Sequence, residues 1–156
     1  MILVDTNVFL IDRFFPRDKN YNENKIFVDN LINVEAYISI FSLIELCGIA
    51  SFNLSEYELN LWFFSFDKVY NVTVLETIIT AEMSAEAFFE AFIEGLYGEI
   101  RKKMTFADAL ILKEAKAHNI PTIVTWNKKH FEHRSQVKIL TPAEFKRMLV
   151  QNSGIS

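Results

Sequence analysis

The chain opens with Met1-Ile2-Leu3-Val4-Asp5-Thr6-Asn7, an apolar run that ends abruptly at a carboxylate. A short run of branched residues without polar alternation is typical of a strand buried on both faces. Val8-Phe9-Leu10-Ile11 follows at helical length, and either Thr6 or Asn7 is predicted to cap that helix. Asp5 is therefore expected at the carboxyl end of a central strand, the edge where open α/β sheets bind ligands.

Four more apolar stretches predict further strands, with helical patterns between them. The predicted strands cover residues 36–39, 69–75, 122–125 and 137–140, and the predicted helices cover 25–33, 42–50, 55–66, 80–98, 105–119 and the stretch from 141. Residues 16–24 are polar and predict a loop. Helices between strands make right-handed crossover connections and a mostly parallel sheet. We predict a three-layer α/β/α sandwich with a mostly parallel five-stranded sheet.

The length and composition indicate a single folded domain. The chain has 156 residues, enough for one ordinary domain and too few for two. Hydrophobic residues make up 51%, and 4 Gly and 3 Pro argue against disorder or a low-complexity linker. We predict one domain over residues 1–150, followed by a C-terminal tail over 151–156.

The net charge and the cysteine content limit the class of binding partner and the cellular compartment that fit this sequence. The net charge is −4, whereas a nonspecific nucleic-acid binder is usually basic. Either nucleic acid is not the partner, or basic patches and bound cations offset an acidic site. The single cysteine, Cys47, excludes an internal disulfide and fits a reducing compartment. The sequence shows no signal-peptide pattern and no uncharged apolar run near the roughly 18 residues of a membrane span, so a cytoplasmic location is expected.

Aromatic residues are unusually dense in Leu61-Trp62-Phe63-Phe64. Two interpretations stay open for this segment. Its side chains all belong to the core, or some of them form a dimer or partner interface.

Several oxygen-bearing side chains are expected at the strand edge that holds Asp5. Glu45 lies in the first turn of the helix after the second strand, and Asn127 follows the fourth strand. Asp108 opens a helix whose far end leads into the fourth strand, so topology alone does not place it at this edge. If it lies there, the like charges stay ionised only around a cation. Oxygen ligands without a His–Cys set favour Mg²⁺ or Mn²⁺, which support phosphodiester hydrolysis.

A structural role competes with this interpretation. Glu45 and Asp108 each lie three residues after a hydroxyl residue, the spacing of a helix capping box. Pattern alone favours a cap for each of these two acids, whereas Asp5, directly after a buried strand, favours function. The four segments with this spacing are Ser42-x-x-Glu45, Thr105-x-x-Asp108, Ser55-x-x-Glu58 and Thr141-x-x-Glu144, of which the last two are given no catalytic role.

Taken in order, these segments resemble the PIN-domain family of metal-dependent ribonucleases, and most closely the VapC-like toxins of type II toxin–antitoxin modules. The resemblance covers nearly the whole chain. Each segment is common alone, but the ordered set at this spacing is specific. The segments are Ile2–Asn7, Ser42–Leu46, Phe106–Ile111, Thr122–Asn127 with His130-Phe131, and Ile139–Phe145.

The resemblance implies a site and its chemistry. Asp5, Glu45 and Asp108 would be the catalytic residues and hold Mg²⁺ or Mn²⁺ together with Asn127. Thr6 and Thr125 would orient the carboxylates. The position of Asn127 is often an aspartate in the family, so the cluster has one negative charge fewer. This should weaken a second metal more than the first and leaves one-metal and two-metal catalysis open.

The implied activity is endonucleolytic hydrolysis of RNA, in which water activated by the metal and oriented by Glu45 attacks the phosphorus in line. The resemblance also implies a homodimer and a cognate antitoxin protein. His130 is expected to be structural or near RNA. Basic residues near the cleft are predicted to hold the flanking phosphates in a salt-dependent way; they are Arg101, Lys102, Lys103, Lys128, Lys129 and Arg134.

Three alternatives stay open. A haloacid-dehalogenase-type phosphatase also places an aspartate after its first strand, but Asn7 stands where its acidic proton donor is needed. A PIN-like module that binds RNA or protein without cleavage fits Asn127 and the acidic charge. Housekeeping RNA processing is the alternative to a toxin, and the sequence does not identify the RNA target.

Overall fold

A computed structural model describes residues 1–79 and 82–153. These ranges contain five strands and seven α-helices. The strands are β1 (Ile2–Val4), β2 (Ala36–Ser39), β3 (Thr73–Leu75), β4 (Thr122–Val124) and β5 (Lys138–Leu140). The helices are α1 (Thr6–Phe14), α2 (Tyr21–Asp29), α3 (Ile40–Ala50), α4 (Glu56–Tyr70), α5 (Ala85–Ile100), α6 (Phe106–Ala117) and α7 (Pro142–Ser153), with 3-10 turns at Leu31–Asn33 and Lys128–His130.

The five strands form one sheet in the order β3-β2-β1-β4-β5, and every neighbouring pair is parallel. The predicted α/β sandwich is confirmed, with a sheet that is parallel throughout. β1 lies at the centre, with β2 on one side and β4 on the other. The carboxyl ends of all five strands therefore lie at one edge, and Asp5 follows directly after the central strand.

Helices cover both faces of the sheet, which explains why β1 has no polar residue. Ile2 and Val4 point into a core that is shared with α1, α2, α3, α4 and α7. Leu3 points to the opposite face, where it packs with residues of α5 and α6. All three residues of β1 are buried, as expected for a strand between two helical layers.

An aromatic cluster fills the core between α1 and α4. The ring of Phe66 lies 5.0 Å from that of Phe9 and 4.8 Å from that of Tyr70, measured between centroids. Trp62 contacts the same cluster, with its centroid 5.8 Å from that of Phe66. This cluster holds α4 against the layer that also contains α1.

Several predicted boundaries are wrong. Residues 69–70 belong to α4 rather than to a strand, because the helix continues to Tyr70 and ends at Asn71 in the left-handed conformation, with φ of 53°. Residues 21–24 belong to α2 rather than to a loop. The helix predicted from residue 80 begins at Ala85 after the Ser84 cap, and residue 80 itself lies outside the described residues. The predicted domain over 1–150 with a tail over 151–156 stays a prediction; α7 includes 151–153, and 154–156 lie outside the described residues.

The structure shows which of the predicted helix caps are formed. Glu58 and Glu144 form the predicted capping boxes with Ser55 and Thr141. The predicted box between Ser42 and Glu45 is wrong, because α3 begins two residues before Ser42 and Ser39 caps it. The predicted cap of α1 is also wrong, since Thr6 and Asn7 lie inside the helix and Asp5 occupies the cap position without a side-chain capping bond.

The dense aromatic segment in α4 is only partly core. Trp62 is 5% exposed, whereas Phe64 is 74% exposed, and Leu61 and Phe63 are exposed as well. The interpretation that all four side chains belong to the core is therefore wrong. No helix in the described ranges combines the length and apolarity needed to cross a bilayer.

Phe66→Ala should reduce the free energy of unfolding by about 3–5 kcal/mol, because it empties the centre of the aromatic cluster. The matched control is Phe52→Ala, which removes a ring that is 89% exposed and should change stability by less than about 0.5 kcal/mol. Urea unfolding followed by circular dichroism measures both. Equal losses in the two variants would contradict this description of the core.

Candidate active site

Asp5 is fixed where β1 and β4 end. Its backbone N–H donates to the carbonyl of Val124 at 3.0 Å, and its side chain is almost completely buried. Thr125 Oγ1 donates to Asp5 Oδ2 at 2.6 Å, within the range of about 2.5–2.7 Å for a hydroxyl bound to an ionised carboxylate. Asn7 Nδ2 also donates to Oδ2, and Thr6 Oγ1 donates to Oδ1 at 3.0 Å.

The hydrogen bonds of Thr125 determine which group is the donor. Its Oγ1 accepts from Asn7 Nδ2 at 3.0 Å and from the backbone N–H of Asn127 at 2.9 Å. Both lone pairs of the hydroxyl are thereby used, so its single proton must point to Asp5. Thr125 thus acts as an oriented donor that holds one oxygen of Asp5, and its part in orienting a metal ligand stays a prediction.

Glu45 reaches the same place from α3. The hydroxyl of Thr6 lies 3.0 Å from Asp5 Oδ1 and 3.2 Å from Glu45 Oε2. A threonine hydroxyl has one proton, so it donates to only one of the two carboxylates at a time. The contact brings two acids from different elements together at one hydroxyl, and it gives Glu45 a tertiary contact in place of the predicted cap.

Asp108 is held by two contacts on a single oxygen. Thr105 Oγ1 donates to Asp108 Oδ2 at 2.6 Å, and His130 Nδ1 lies 3.0 Å from the same atom. Because an ionised carboxylate only accepts, the Nδ1 atom of His130 must carry the proton in this contact. The other oxygen, Oδ1, has no hydrogen bond within the described part of the chain.

The three carboxylates influence one another electrostatically. Burial raises the pKa of Asp5 above its ordinary value, and the charge of Asp108 raises it further, against the lowering by the Thr125 and Thr6 hydrogen bonds. Partial burial also raises the pKa of Glu45, and the charges of Asp5 and Asp108 add to that effect. Asp108 therefore lies close enough to the other two acids for their charges to interact, which topology alone did not establish.

The donor set fits a hard divalent cation. Among residues 1–79 and 82–153, no three acidic, histidine or cysteine side chains form a preassembled metal cluster. Mg²⁺ does not require one, since it is usually held by one or two carboxylates with waters and substrate phosphates. Asp5 and Glu45 supply two such carboxylates at a shared hydroxyl. Asp108 Oδ1 adds a third oxygen without a hydrogen-bond donor of its own.

Asn127 is not in direct contact with the acids in this arrangement. It is exposed, and its side chain makes no hydrogen bond among the described residues. Only its backbone takes part in the site, through the N–H that donates to Thr125. Its role as a metal ligand stays a prediction.

The predicted RNA-binding residues fall into two groups. Three of them have partners: Lys102 pairs with Glu99 at 2.8 Å, Lys128 pairs with Glu144 at 2.9 Å, and Arg134 Nη1 donates to the carbonyl of His130 at 2.6 Å. The other three are exposed and make no ion pair within the described ranges; they are Arg101, Lys103 and Lys129.

Sequence reasoning assigned no role in the site to Asn7 or Asn24, and it did not predict the contact that His130 makes there. Asn7 accepts from the backbone N–H of Trp126 at 3.1 Å, and only its place next to the first acid could have drawn attention to it. Asn24 is fully buried, donates to the carbonyl of Val8 and accepts from Trp126 Nε1, each at 2.8 Å. No local pattern predicts such a buried amide. His130 was expected to be structural or near RNA, but its contact with Asp108 depends on the tertiary fold.

Comparisons with known proteins agree with this architecture. A family model described as PIN domain matches residues 2–135. FitAcB from Neisseria gonorrhoeae shares 22% sequence identity, with 91% of this chain and 98% of that chain covered and a TM-score of 0.58. FitAB bound to an IR36 DNA fragment shares 19%, with 92% and 96% covered and a TM-score of 0.60. These two likenesses show a common fold. A comparison with curated proteins finds no match.

Glu45→Gln should stabilise the metal-free protein at neutral pH. Because the pKa of Glu45 is raised in the folded state, this group contributes stability below its ordinary pKa of 4.5, and that contribution is lost as pH rises through the raised pKa. Above that range the ionised Glu45 opposes folding, so in EDTA at pH 7 the variant should have the higher thermal midpoint, and the gap should close toward pH 4.

Thermal unfolding across this pH range measures the effect. Glu90→Gln is the matched control, because Glu90 is an exposed glutamate of α5 without an ion pair among the described residues. Indistinguishable pH curves for wild type and Glu45→Gln would contradict the electrostatic description of the site.

Proposed function

The chain belongs to the PIN domain family, and from this premise we propose that it is a Mg²⁺- or Mn²⁺-dependent endoribonuclease. One observation carries the proposal. Asp5 and Glu45 share the Thr6 hydroxyl at the carboxyl edge of the sheet, and Asp108 raises the pKa of both. Repulsion of this kind favours binding of a cation, and a cation held by oxygen ligands suits hydrolysis of a phosphodiester.

Each acid has a distinct part in the proposal. Asp5 and Asp108 hold the cation, and Glu45 accepts a hydrogen bond from the attacking water and orients it. When bound, the cation lowers the pKa of that water and offsets charge on the phosphate. Thr125 and Asn7 fix the rotamer of Asp5 through Oδ2. The Asn127 side chain is assigned to contact the substrate or a water in the outer shell of the cation. Asp5, Glu45 and Asp108 keep the roles given above.

Thr105 and His130 decide which oxygen of Asp108 is free. Both bind Oδ2, so Oδ1 is left to face a cation. His130 is itself held in place, because Arg134 donates to its carbonyl at 2.6 Å. Arg134 therefore contributes to the position of Asp108 as well as to the local positive charge. Residues that orient a metal ligand in this way typically affect metal affinity or activity by about 10- to 100-fold.

Flanking phosphates are assigned to exposed cations that have no ion-pair partner in the described ranges, namely Arg101, Lys103 and Lys129. Lys102 and Lys128 are already paired with Glu99 and Glu144, so they contribute less free positive charge. Binding should weaken as salt rises, since phosphate contacts release counterions.

The biological setting in the proposal is a toxin–antitoxin pair. The resemblance to VapC-like toxins supports this assignment, with a cognate antitoxin and a homodimer as partners. Exposed apolar side chains on α3 and α4 offer surface for such contacts, among them Ile44, Ile49, Tyr57 and Phe64. A cytoplasmic location stays a prediction, and housekeeping RNA processing is the alternative role for the same chemistry.

A second candidate is a PIN-like module that binds RNA or protein without cleaving it. Two observations favour it: Asn127 replaces a charge that the family often has, and no three metal-binding side chains are preassembled in the described part of the chain. Such a module would bind RNA in EDTA as well as in Mg²⁺ and would leave the RNA intact.

Asp5→Asn should reduce RNA cleavage by more than about 100-fold, because Asp5 is proposed to hold the cation itself rather than to orient a ligand. The substrate is a pool of single-stranded RNA, incubated in Mg²⁺, in Mn²⁺ and in EDTA, with single-stranded DNA of the same sequences in parallel. Gel electrophoresis of the end-labelled strands measures cleavage. Wild type should cut RNA in either metal and not in EDTA.

Asp67→Asn is the matched control, since Asp67 is an exposed carboxylate of α4 without an ion pair among the described residues, and it should cleave like wild type. Equal cleavage by wild type and Asp5→Asn would refute the proposal and attribute the activity to a contaminant. RNA binding without cleavage would favour the binding module. Hydrolysis of small phosphate monoesters would favour the phosphatase alternative.

A further inference from the structure

A small pocket of about 90 Å³ opens directly beside Glu45. It lies between the first turns of α3 and α6, the two helices that supply Glu45 and Asp108. Its lining consists of Phe41, Ser42, Glu45, Phe106, Ala107 and Leu110. The pocket therefore shares a wall with the candidate active site, and its remaining surface is mostly apolar.

The two phenylalanines that line this pocket, Phe41 and Phe106, are not both packed as core residues usually are. Phe106 is the first residue of α6, only two positions before Asp108, and its side chain is 64% exposed. Phe41 is half-buried, and its ring packs on Phe92 with 5.4 Å between centroids. Phe106 makes no ring contact within the described part of the chain. One ring is thus anchored, whereas the other is presented to solvent beside the acids.

The charge of the pocket restricts what it can hold. Among the described residues that line it, Glu45 is the single charged one. A second phosphate or another anion would be repelled there, while a neutral planar group would meet aromatic and aliphatic walls. A nucleobase is such a group, and the bases of single-stranded RNA are commonly bound by stacking on aromatic side chains.

We propose that this pocket binds a nucleobase that flanks the scissile phosphate, with Phe106 as the stacking platform. The inference rests on the proposed ribonuclease function, because a phosphodiester held at Asp5 and Asp108 places the attached nucleoside next to Glu45. The proposed pocket would contact the base of the substrate, which the acidic residues do not. Phe106 would then influence which base stands next to the cleaved bond, through stacking rather than through the chemistry of cleavage.

The test uses the unaltered protein as the parent, so that the proposed cation site is kept, with Ca²⁺ in place of Mg²⁺ and a gel to confirm that the RNA stays intact. The probes are short single-stranded RNAs with 2-aminopurine at successive positions, whose fluorescence falls when the base stacks. Adding Phe106→Ala should weaken RNA binding roughly tenfold, the scale of one lost base–aromatic stack, and abolish the fluorescence decrease at one position. Phe106→Trp should restore both, because it keeps an aromatic face.

Phe89→Ala is the matched control, since Phe89 is an exposed phenylalanine of α5 without a ring contact among the described residues, and it should bind RNA like the parent. Circular dichroism and the thermal midpoint check that each variant is folded, which the exposure of Phe106 favours. Parent-like affinity and fluorescence in the Phe106→Ala protein would overturn the inference.

Two other outcomes would also overturn the inference about the pocket, and the measurements distinguish them from each other. If Phe106→Ala leaves RNA binding unchanged and alters only the oligomeric state, the pocket belongs to a protein contact. If the parent protein fails to bind any RNA, the proposed function itself fails, and the pocket assignment fails with it.

Discussion

The hydrogen bond from Thr125 to Asp5 is the interaction on which the candidate site depends. It joins the ends of two adjacent parallel strands, and its direction is fixed because the Thr125 hydroxyl already accepts from Asn7 and from the backbone of Asn127. A carboxylate buried at a sheet edge is costly unless donors surround it. Here the Thr125 hydroxyl and the Asn7 amide both donate to Asp5 Oδ2, and the Thr6 hydroxyl is shared between Asp5 and Glu45, so the fold holds Asp5 in a single orientation.

The same arrangement places carboxylates close enough for their charges to oppose one another's ionisation. Burial and the charge of Asp108 raise the pKa of Asp5, and burial together with the charges of Asp5 and Asp108 raises that of Glu45, although hydroxyl donors offset part of the effect for both. In a purely structural site such repulsion would only reduce stability. In the proposed nuclease, a bound cation would relieve this repulsion, and a phosphodiester brought to that cation would meet acids that are already oriented. If these acids bind a cation as proposed, the repulsion that lowers the stability of the metal-free fold would also favour cation binding.

The sequence predicted the sheet well, since short apolar runs such as Ile2–Val4 have few alternatives once helices lie between them. Boundaries failed where local patterns conflict. Residues 69–70 resemble a strand, but packing of Tyr70 on Phe9 and Phe66 keeps them in α4. The spacing of Ser42 and Glu45 suggested a cap, yet Ser39 begins the helix. Asp108, Asn24 and His130 depend on contacts between distant segments, which no local pattern contains, so their placement required the structure.

The most direct test of the central claim is a titration of Mn²⁺ into the wild-type protein and the Asp5→Asn variant, followed by electron paramagnetic resonance of free Mn²⁺. The experiment needs no RNA, so it examines the carboxylate cluster alone. If the three acids form one cation site, wild type should bind Mn²⁺ at a defined stoichiometry and the variant should lose that binding while it stays folded. Equal binding by both proteins, or no binding by wild type, would contradict the account.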